Sequence, residues 1–292
     1  MDEETVSTST PSPHTPRSPR EEALSRALPE YEDWELLGPD FMEAWGYPDG
    51  KFKPEHLAIY GQTGRGKSFF EAYILKERAR LRGSRIVVIA TKPADKTLTA
   101  LGWPVVSSWP PETGWSKKRD HYRTCIFWAK AKGLGPDAQK RQAAQVRDVL
   151  EQLWVPDSNT IVVFDEIAYI EQELGLKTVT GRYLREGRAL GITVVATTQR
   201  PANVSRGMHS ETTWSVFFAP KDEEDAERLA QIAGNKLYFK RALAELDATN
   251  YEFLLVHNFT GEYVISSLPK KPAPIQISLP QKEAPKRRVH VQ

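Results

Sequence analysis

The sequence predicts an α/β fold in which a mostly parallel sheet is flanked by helices. Two observations predict this fold class. Short runs of β-branched residues alternate with longer segments of helical periodicity, which is the pattern of consecutive βαβ units. A glycine-rich stretch at residues 61–66 joins the first such run to the first helical segment. The 292 residues suffice to bury a sizeable core, and a content of 40% hydrophobic and 27% charged residues is ordinary for a globular domain.

Seven segments are predicted to be strands because they are short, apolar and rich in β-branched or aromatic residues. In chain order they are residues 56–60, 85–90, 160–164, 192–196, 212–218, 251–256 and, as the last strand of a hairpin, 263–266. Helices are predicted at residues 68–82, 137–153 and 176–190, and a charged helix is predicted to begin near Asp222. The first helix places Phe70, Ile74 and Leu81 on one face, and Gly83 ends it.

One domain, residues 29–268, is expected between two tails. Residues 1–28 are rich in serine, threonine and proline and contain almost no large apolar side chains, so they cannot offset the entropy of ordering and should be disordered. Residues 269–292 are basic and rich in proline, and they are expected to be unstructured as well. Either tail is a candidate docking segment for a protein partner.

Charge and composition exclude several classes of protein. A net charge of +2 excludes a histone-like binder, so any contact with nucleic acid must come from local patches. The single cysteine, Cys125, excludes a disulfide scaffold and a cysteine-rich zinc site, which favours a reducing, cytoplasmic location. No apolar stretch approaches 18 residues and no secretory pattern opens the chain, so no membrane segment of its own is expected.

The segment Gly61–Ser68 matches the pattern G-x-x-x-x-G-K-[ST] of a phosphate-binding loop, with a predicted strand before it and a predicted helix after it. Its glycines let the backbone wrap around a phosphate with the N–H groups pointing inward. The Lys67 ammonium would reach the β- and γ-phosphates of ATP, and the Ser68 hydroxyl would bind Mg²⁺. The predicted nucleotide-binding residues are Gly61, Thr63, Gly64, Arg65, Gly66, Lys67, Ser68 and Phe69.

Two later strands end in polar residues suited to phosphoryl transfer. Residues 160–164 lead into Asp165, predicted to hold Mg²⁺ through water, and Glu166, predicted to orient and deprotonate the attacking water. The strand from Ile192 leads to Gln199, which can sense the γ-phosphate or the attacking water if that strand lies beside the other two. Each signal is weak alone, because the residues that follow a strand are often polar simply because they form a turn. The phosphate loop favours the catalytic interpretation of Asp165 and Glu166.

These motifs together resemble the FtsK/HerA superfamily of P-loop motor ATPases. The resemblance rests on Gly61–Ser68, on residues 162–168 (Val-Val-Phe-Asp-Glu-Ile-Ala) and on residues 187–192 leading into 196–201 (Ala-Thr-Thr-Gln-Arg-Pro), and it covers residues 55–235. It implies a RecA-like core of the additional-strand class, a usually hexameric ring and ATP-driven pulling of double-stranded DNA. The chain has no room for the winged-helix or β-barrel domains of larger relatives, which favours a minimal packaging or transfer motor.

Arg185 and Arg188 are candidates for an arginine that acts on the phosphates of a neighbouring subunit. They lie three residues apart near the end of a predicted helix, so they share a face, and Arg188 belongs to the segment that matches the family. An arginine supplied in this way stabilises the charge that develops on the transferred phosphate. The alternative is that both cations simply offset the dipole at the helix C-terminus.

Three interpretations of function remain open at this stage. The first is a ring motor that translocates double-stranded DNA. The second is a P-loop ATPase that drives assembly or secretion of a protein complex without using DNA as its track, and the third is a regulatory nucleotide-binding module. A basic segment at residues 117–147, interleaved with Tyr122, Phe127 and Trp128, could line a DNA pore or be an ordinary solvated face. The basic tail could anchor DNA without sequence specificity.

Overall fold

The computed structural model describes residues 28–46, 53–81, 84–92, 94–110, 124–129, 133, 135–232 and 236–275. Nine strands form one sheet in this part of the chain. Its strands are β1 Leu57–Tyr60, β2 Arg85–Ala90, β3 Val105–Val106, β4 Thr124–Trp128, β5 Thr160–Phe164, β6 Ile192–Thr198, β7 Trp214–Phe218, β8 Glu252–His257 and β9 Glu262–Ser267. The strand order is β3-β4-β2-β5-β6-β1-β7-β8-β9.

Helices cover both faces of the sheet. They are α1 Trp34–Gly46, α2 Lys67–Arg80, α3 Lys96–Thr99, α4 Pro136–Leu153, α5 Ile167–Gln172, α6 Lys177–Glu186, α7 Gly207–Ser210, α8 Glu223–Ile232 and α9 Lys236–Ala244, with 3₁₀ turns at Gly187–Leu190 and Pro201–Asn203. Strand β5 shows why both faces are apolar. Ile161 and Val163 pack with α1, α2 and α3, whereas Val162 and Phe164 pack with the helices that follow β4.

Strand β6 lies between β1 and β5 and pairs in parallel with both. Parallel strands end at the same edge, so the residues that follow β1, β5 and β6 come together there. The first seven strands of the order run parallel. Strand β8 pairs antiparallel with β7, and β9 pairs antiparallel with β8 at the edge of the sheet. The predicted mostly parallel sheet of the additional-strand class is therefore confirmed.

The predicted elements recur with small shifts, and several others were not predicted. Strand β6 continues two residues past its predicted end and so includes Thr197 and Thr198. The helix predicted at residues 176–190 is α6 followed by a 3₁₀ turn. The unpredicted elements are α1, α3, α5, α7, α9, β3 and β4.

The basic segment at residues 117–147 divides into different environments. Lys140, Arg141 and Arg147 are exposed on α4. Phe127 was predicted to be one of the aromatic residues interleaved with these cations. It lies instead on β4, in the hydrophobic core, at 1% exposure. Tyr122 and the lysines at 117, 118, 130 and 132 lie outside the described residues.

The chain remains attached to the domain beyond the predicted boundary at residue 268. Residues 269–275 run along α2, where the Tyr73 hydroxyl donates to the Ala273 carbonyl at 3.0 Å and the Ile275 N–H donates to Glu77 at 2.8 Å. The side chains of Leu268 and Ile275 are buried. Residues 1–27 and 276–292 lie outside the described residues, so the disorder expected of the tails stays a prediction there.

Candidate active site

The phosphate loop joins β1 to α2 with the backbone that its motif requires. Gly64 and Gly66 have φ angles of +83° and +100°, left-handed conformations that favour glycine. A side chain on Gly66 would also meet the Cβ of Tyr251 at 3.1 Å. The Gly61 N–H donates to the Thr198 carbonyl at 3.1 Å, which ties the start of the loop to the end of β6. The loop is thus held directly beside the strand end that carries Gln199.

Lys67 begins α2 and is only 3% exposed. Its ammonium donates to the Thr197 hydroxyl at 3.5 Å, the long limit of a hydrogen bond, so it has donors to spare for phosphate oxygens. The N-terminus of the 14-residue α2 adds a positive partial charge at the same place. Ser68, next in the chain, is half-buried. This arrangement can hold an anion.

Asp165 follows β5 and is buried at 2% exposure. One carboxylate oxygen, Oδ1, lies 3.4 Å from the ammonium of Lys92, and the other, Oδ2, has no hydrogen-bond partner among the described residues. A buried carboxylate oxygen without a partner is costly unless something binds it. Mg²⁺ prefers carboxylate, hydroxyl and water oxygens. Asp165 and Ser68 therefore fit the Mg²⁺ that accompanies ATP.

Two charged residues beside Asp165 were not predicted from the sequence. Lys92 follows β2 and bridges Asp95 at 3.2 Å and Asp165 at 3.4 Å. Glu71 is one helical turn after Lys67 and is buried. Burial raises the pKa of Glu71 to about 8; the Asp165 charge adds to the rise, while Lys67 and Lys92 oppose it. Burial thus favours the neutral form of Glu71, which limits the negative charge around Asp165.

The Glu166 carboxylate is held at the end of β6. It accepts a hydrogen bond from the Thr198 hydroxyl at 3.0 Å and from the Gln199 N–H at 3.0 Å. Its own N–H donates to the Thr197 hydroxyl at 3.2 Å, and its φ of +65° is uncommon for a glutamate. Burial raises the pKa of Glu166, although Lys67 and these hydrogen bonds lower it. A carboxylate of raised pKa is a better proton acceptor than an exposed one.

Gln199 contacts both the phosphate loop and Glu166. Its side-chain oxygen accepts from the Thr63 hydroxyl at 2.8 Å, and its N–H donates to Glu166. The loop is also tied to α8 by a hydrogen bond from Gln62 to Asp225. Arg65 is half-buried in the loop, and Phe69 is exposed beside it. We predicted from the sequence that Gln199 lies near the γ-phosphate. Its contacts with Thr63 and Glu166 place it at the sheet edge that carries the phosphate loop.

Arg185 and Arg188 lie at the opposite edge of the sheet, because they precede β6 whereas Gln199 follows it. A strand of seven residues separates the two edges by about 20 Å at about 3.3 Å per residue. Arg188 is half-buried and donates to the Glu211 carbonyl at 3.2 Å. Arg185 is exposed on the last turn of α6. Neither arginine reaches the phosphate loop of its own chain.

Comparison with known proteins agrees with this geometry. The family model for the central domain of helicase HerA matches residues 51–89, which contain the phosphate loop, α2 and most of β2. The predicted resemblance to the FtsK/HerA superfamily is confirmed. No curated protein sequence matches the chain.

Two solved structures share the fold at low identity. The genome packaging NTPase B204 of Sulfolobus turreted icosahedral virus 2, in complex with AMPPCP, is 11% identical, with 75% of this chain and 98% of that chain covered and a TM-score of 0.51. VirB4 of Thermoanaerobacter pseudethanolicus is 13% identical, with 78% and 92% covered and a TM-score of 0.56. The fold is that of the RecA-like P-loop ATPases. Within the described residues, no helix is long and apolar enough to span a membrane.

Proposed function

We propose that this protein is an ATP-hydrolysing motor that works as a ring, by analogy a hexamer, and translocates double-stranded DNA in genome packaging or DNA transfer. One observation carries the proposal: Lys67, Asp165 and Glu166 lie together at one edge of the sheet. At the same edge, Gln199 contacts both the phosphate loop and Glu166. A regulatory binding module has no need of a buried carboxylate at that place. A reducing, cytoplasmic setting fits the buried free thiol of Cys125.

The residues divide the chemical step between them. The loop N–H groups and Lys67 hold the phosphates, while Ser68 and Asp165 would hold Mg²⁺, which supplies charge neutralisation to the transferred group. Glu166 accepts a proton from water as the water oxygen bonds to the γ-phosphorus, and the bond from that phosphorus to the bridging oxygen of ADP breaks. Glu166 is also one of the residues that line a cavity of about 820 Å³ on the side of α4.

Hydrogen bonds connect the site to the part of the chain that carries the arginines. Glu171, on the helix after Glu166, is buried and accepts from the Thr180 hydroxyl at 2.9 Å and the Ser205 hydroxyl at 2.8 Å. It therefore joins α5 to α6 and to the loop that follows β6. A shift at Glu166 or Gln199 on hydrolysis would be passed to α6, and so to Arg185 at an interface with the next subunit.

Exposed cations support DNA as the track. Lys140, Arg141 and Arg147 are exposed on α4, whose first turn lines the cavity that contains Glu166. Cations that neutralise phosphates release counterions, which makes binding strong at low salt. The second candidate function, an assembly or secretion ATPase that does not use DNA, requires the same catalytic edge and differs only in its track.

Stimulation by DNA distinguishes the two functions. We expect linear duplex DNA to raise the ATPase rate several-fold at low salt, and we expect this rise to shrink as salt increases. The measurement is phosphate release with and without DNA at several salt concentrations. Lys67→Ala is the control, and it should bind ATP poorly and show no activity, because the phosphates lose their point-charge partner. A rate that DNA leaves unchanged at every salt concentration would support the assembly ATPase instead.

The basic tail can be tested apart from the docked residues 269–275. Truncation after Ile275 removes residues 276–292, which contain four Lys or Arg residues and one Glu. We expect weaker duplex binding and a salt slope smaller by up to about 4, because each neutralised phosphate contributes about 0.9. Fluorescence anisotropy of labelled DNA measures both quantities. An unchanged slope would assign the tail to a protein partner.

A further inference from the structure

A cavity of about 360 Å³ lies directly beside the phosphate loop and is not used by the chemical step. Gly64 and Gly66 form the wall on the side of the loop, and Phe69 and Tyr251 stand at its rim. Buried phenylalanine rings form its floor, and Leu268 with Lys270 form the remaining wall. The cavity is therefore mostly apolar and aromatic, and it opens where a molecule held by the loop would extend.

The two aromatic rings at the rim are exposed to solvent, unlike the buried phenylalanine rings of the floor. Phe69 is 44% exposed and Tyr251 is 47% exposed. Tyr251 has a φ of +55°, which is unusual for an aromatic residue, and strained backbone of this kind concentrates at ligand-binding sites. The turn before it is fixed by hydrogen bonds from the Glu252 N–H to the Asp247 carbonyl at 3.1 Å and from the Asp247 N–H to Glu252 at 2.8 Å. The Tyr251 side chain lies against Gly66, where an added Cβ would meet the Tyr251 Cβ at 3.1 Å.

The wall opposite the loop comes from the segment that follows β9. We call residues 268–275 the strap. The strap is fastened to α2 by the bonds of Ala273 to Tyr73 and of Ile275 to Glu77, and Arg80 donates to the Ile275 carbonyl at 3.4 Å. Since α2 begins at Lys67, the strap is hydrogen-bonded to the same helix that begins at the phosphate loop.

We propose that this cavity binds the purine base of the nucleoside triphosphate, and that the strap is part of the nucleotide site. The inference rests on the proposed function, because the loop must hold the phosphates for the base to reach the cavity. Phe69 and Tyr251 line the cavity with exposed aromatic rings on which a flat π-system can stack, and stacking on aromatic side chains is favourable for every base. Purines offer the larger stacking face, so they should bind more tightly than pyrimidines.

The same lining predicts little discrimination between adenine and guanine. The charged side chain at the cavity is Lys270, whose ammonium can only donate hydrogen bonds. Both purines present the N7 acceptor. A site discriminates strongly between two ligands when the wrong ligand leaves one of its buried polar groups unpaired. The side chains of this cavity offer no buried polar group that would pair with one purine and not with the other. We expect the affinities for ATP and GTP to differ by less than about tenfold.

Binding of ATP and of tripolyphosphate, which lacks a base, tests the proposal. We expect Tyr251→Asn to weaken ATP binding on the order of tenfold and to leave tripolyphosphate binding unchanged. Asparagine is chosen because it tolerates positive φ, so the ring is removed without added backbone strain. Tyr251→Phe should retain the affinity for ATP, and Phe259→Ala, which removes an exposed ring from the β8–β9 turn, is the matched control.

Two truncations test the strap. Ending the chain after Leu268 should weaken ATP binding but leave tripolyphosphate binding in place, whereas ending it after Ile275 should change neither. Two results would overturn the base pocket. In the first, Tyr251→Asn loses affinity for ATP and for tripolyphosphate equally. In the second, both Tyr251→Asn and the truncation after Leu268 bind ATP as tightly as the parent. If the parent protein binds neither ligand, the proposed function itself fails. Parent protein that binds tripolyphosphate as tightly as ATP would contradict only the pocket.

Discussion

Glu166→Gln is expected to retain ATP and to lower its turnover by about 10²-fold to 10⁴-fold, the usual contribution of general base catalysis. The amide cannot take the proton of the attacking water. Its oxygen can still accept the hydrogen bonds from Thr198 and from the Gln199 N–H, so the end of β6 and its contact with Thr63 should persist. Binding and chemistry should therefore separate in this variant.

The measurement pairs ATP affinity with the single-turnover rate of hydrolysis. Glu173→Gln is the matched control, because Glu173 is an exposed glutamate just after α5 and lies outside the site. It should hydrolyse ATP at the parent rate. A Glu166→Gln protein that turns over within twofold of the parent would refute the assignment of the general base and leave the phosphate loop unaffected.

The catalytic edge could be predicted from the sequence because its residues belong to local motifs. The phosphate loop, the Asp165–Glu166 pair and Gln199 each follow a short apolar run, and parallel strands bring their ends together. Lys92 could not be found in this way. A lysine after a strand is an ordinary polar turn residue, and its pairing with Asp165 exists only because β2 lies next to β5.

Helix α1 and the strap were not predicted from the sequence. Helix α1 contains Pro39 and follows a Ser/Thr/Pro-rich segment, yet Trp34, Phe41 and Trp45 recur at a helical spacing that could have indicated it. The strap has no such signal. It is held by hydrogen bonds of its own backbone to Tyr73 and Glu77, nearly 200 residues earlier, and by the buried side chains of Leu268 and Ile275. Backbone groups leave no pattern in a sequence, and two apolar residues seven positions apart are too few to form one.

The structure changes the relative standing of the two candidate arginines. Arg188 donates to the Glu211 carbonyl and lies near His56; burial lowers the pKa of His56 to about 3, and the Arg188 charge adds to that shift. Replacing Arg188 therefore disturbs its own subunit. Arg185 is exposed and makes no ion pair among the described residues. Arg185 is thus better placed to act on a neighbour, although the sequence motif favoured Arg188.

Mixed rings test whether an arginine acts on the next subunit. An interface that joins the arginine edge of one subunit to the phosphate edge of the next is head-to-tail, which is how identical subunits close a ring. We expect Arg185→Ala alone to lower hydrolysis by about 10³-fold or more, because the charge on the transferred phosphate loses its partner. Its melting temperature should stay that of the parent. Arg182→Ala, on the same helix and paired with Glu186, is the matched control and should remain active.

An equimolar mixture of Arg185→Ala with Lys67→Ala should regain part of the parent rate. Random assembly pairs an intact phosphate loop with an intact arginine from the neighbour at about one interface in four, so recovery should approach about a quarter of the parent rate. The same mixture made with Arg188→Ala measures the second candidate. Phosphate release is followed across mixing ratios, and co-assembly is verified by pull-down of a tagged subunit. Co-assembled rings that stay inactive at every ratio would show that the arginine acts within its own chain.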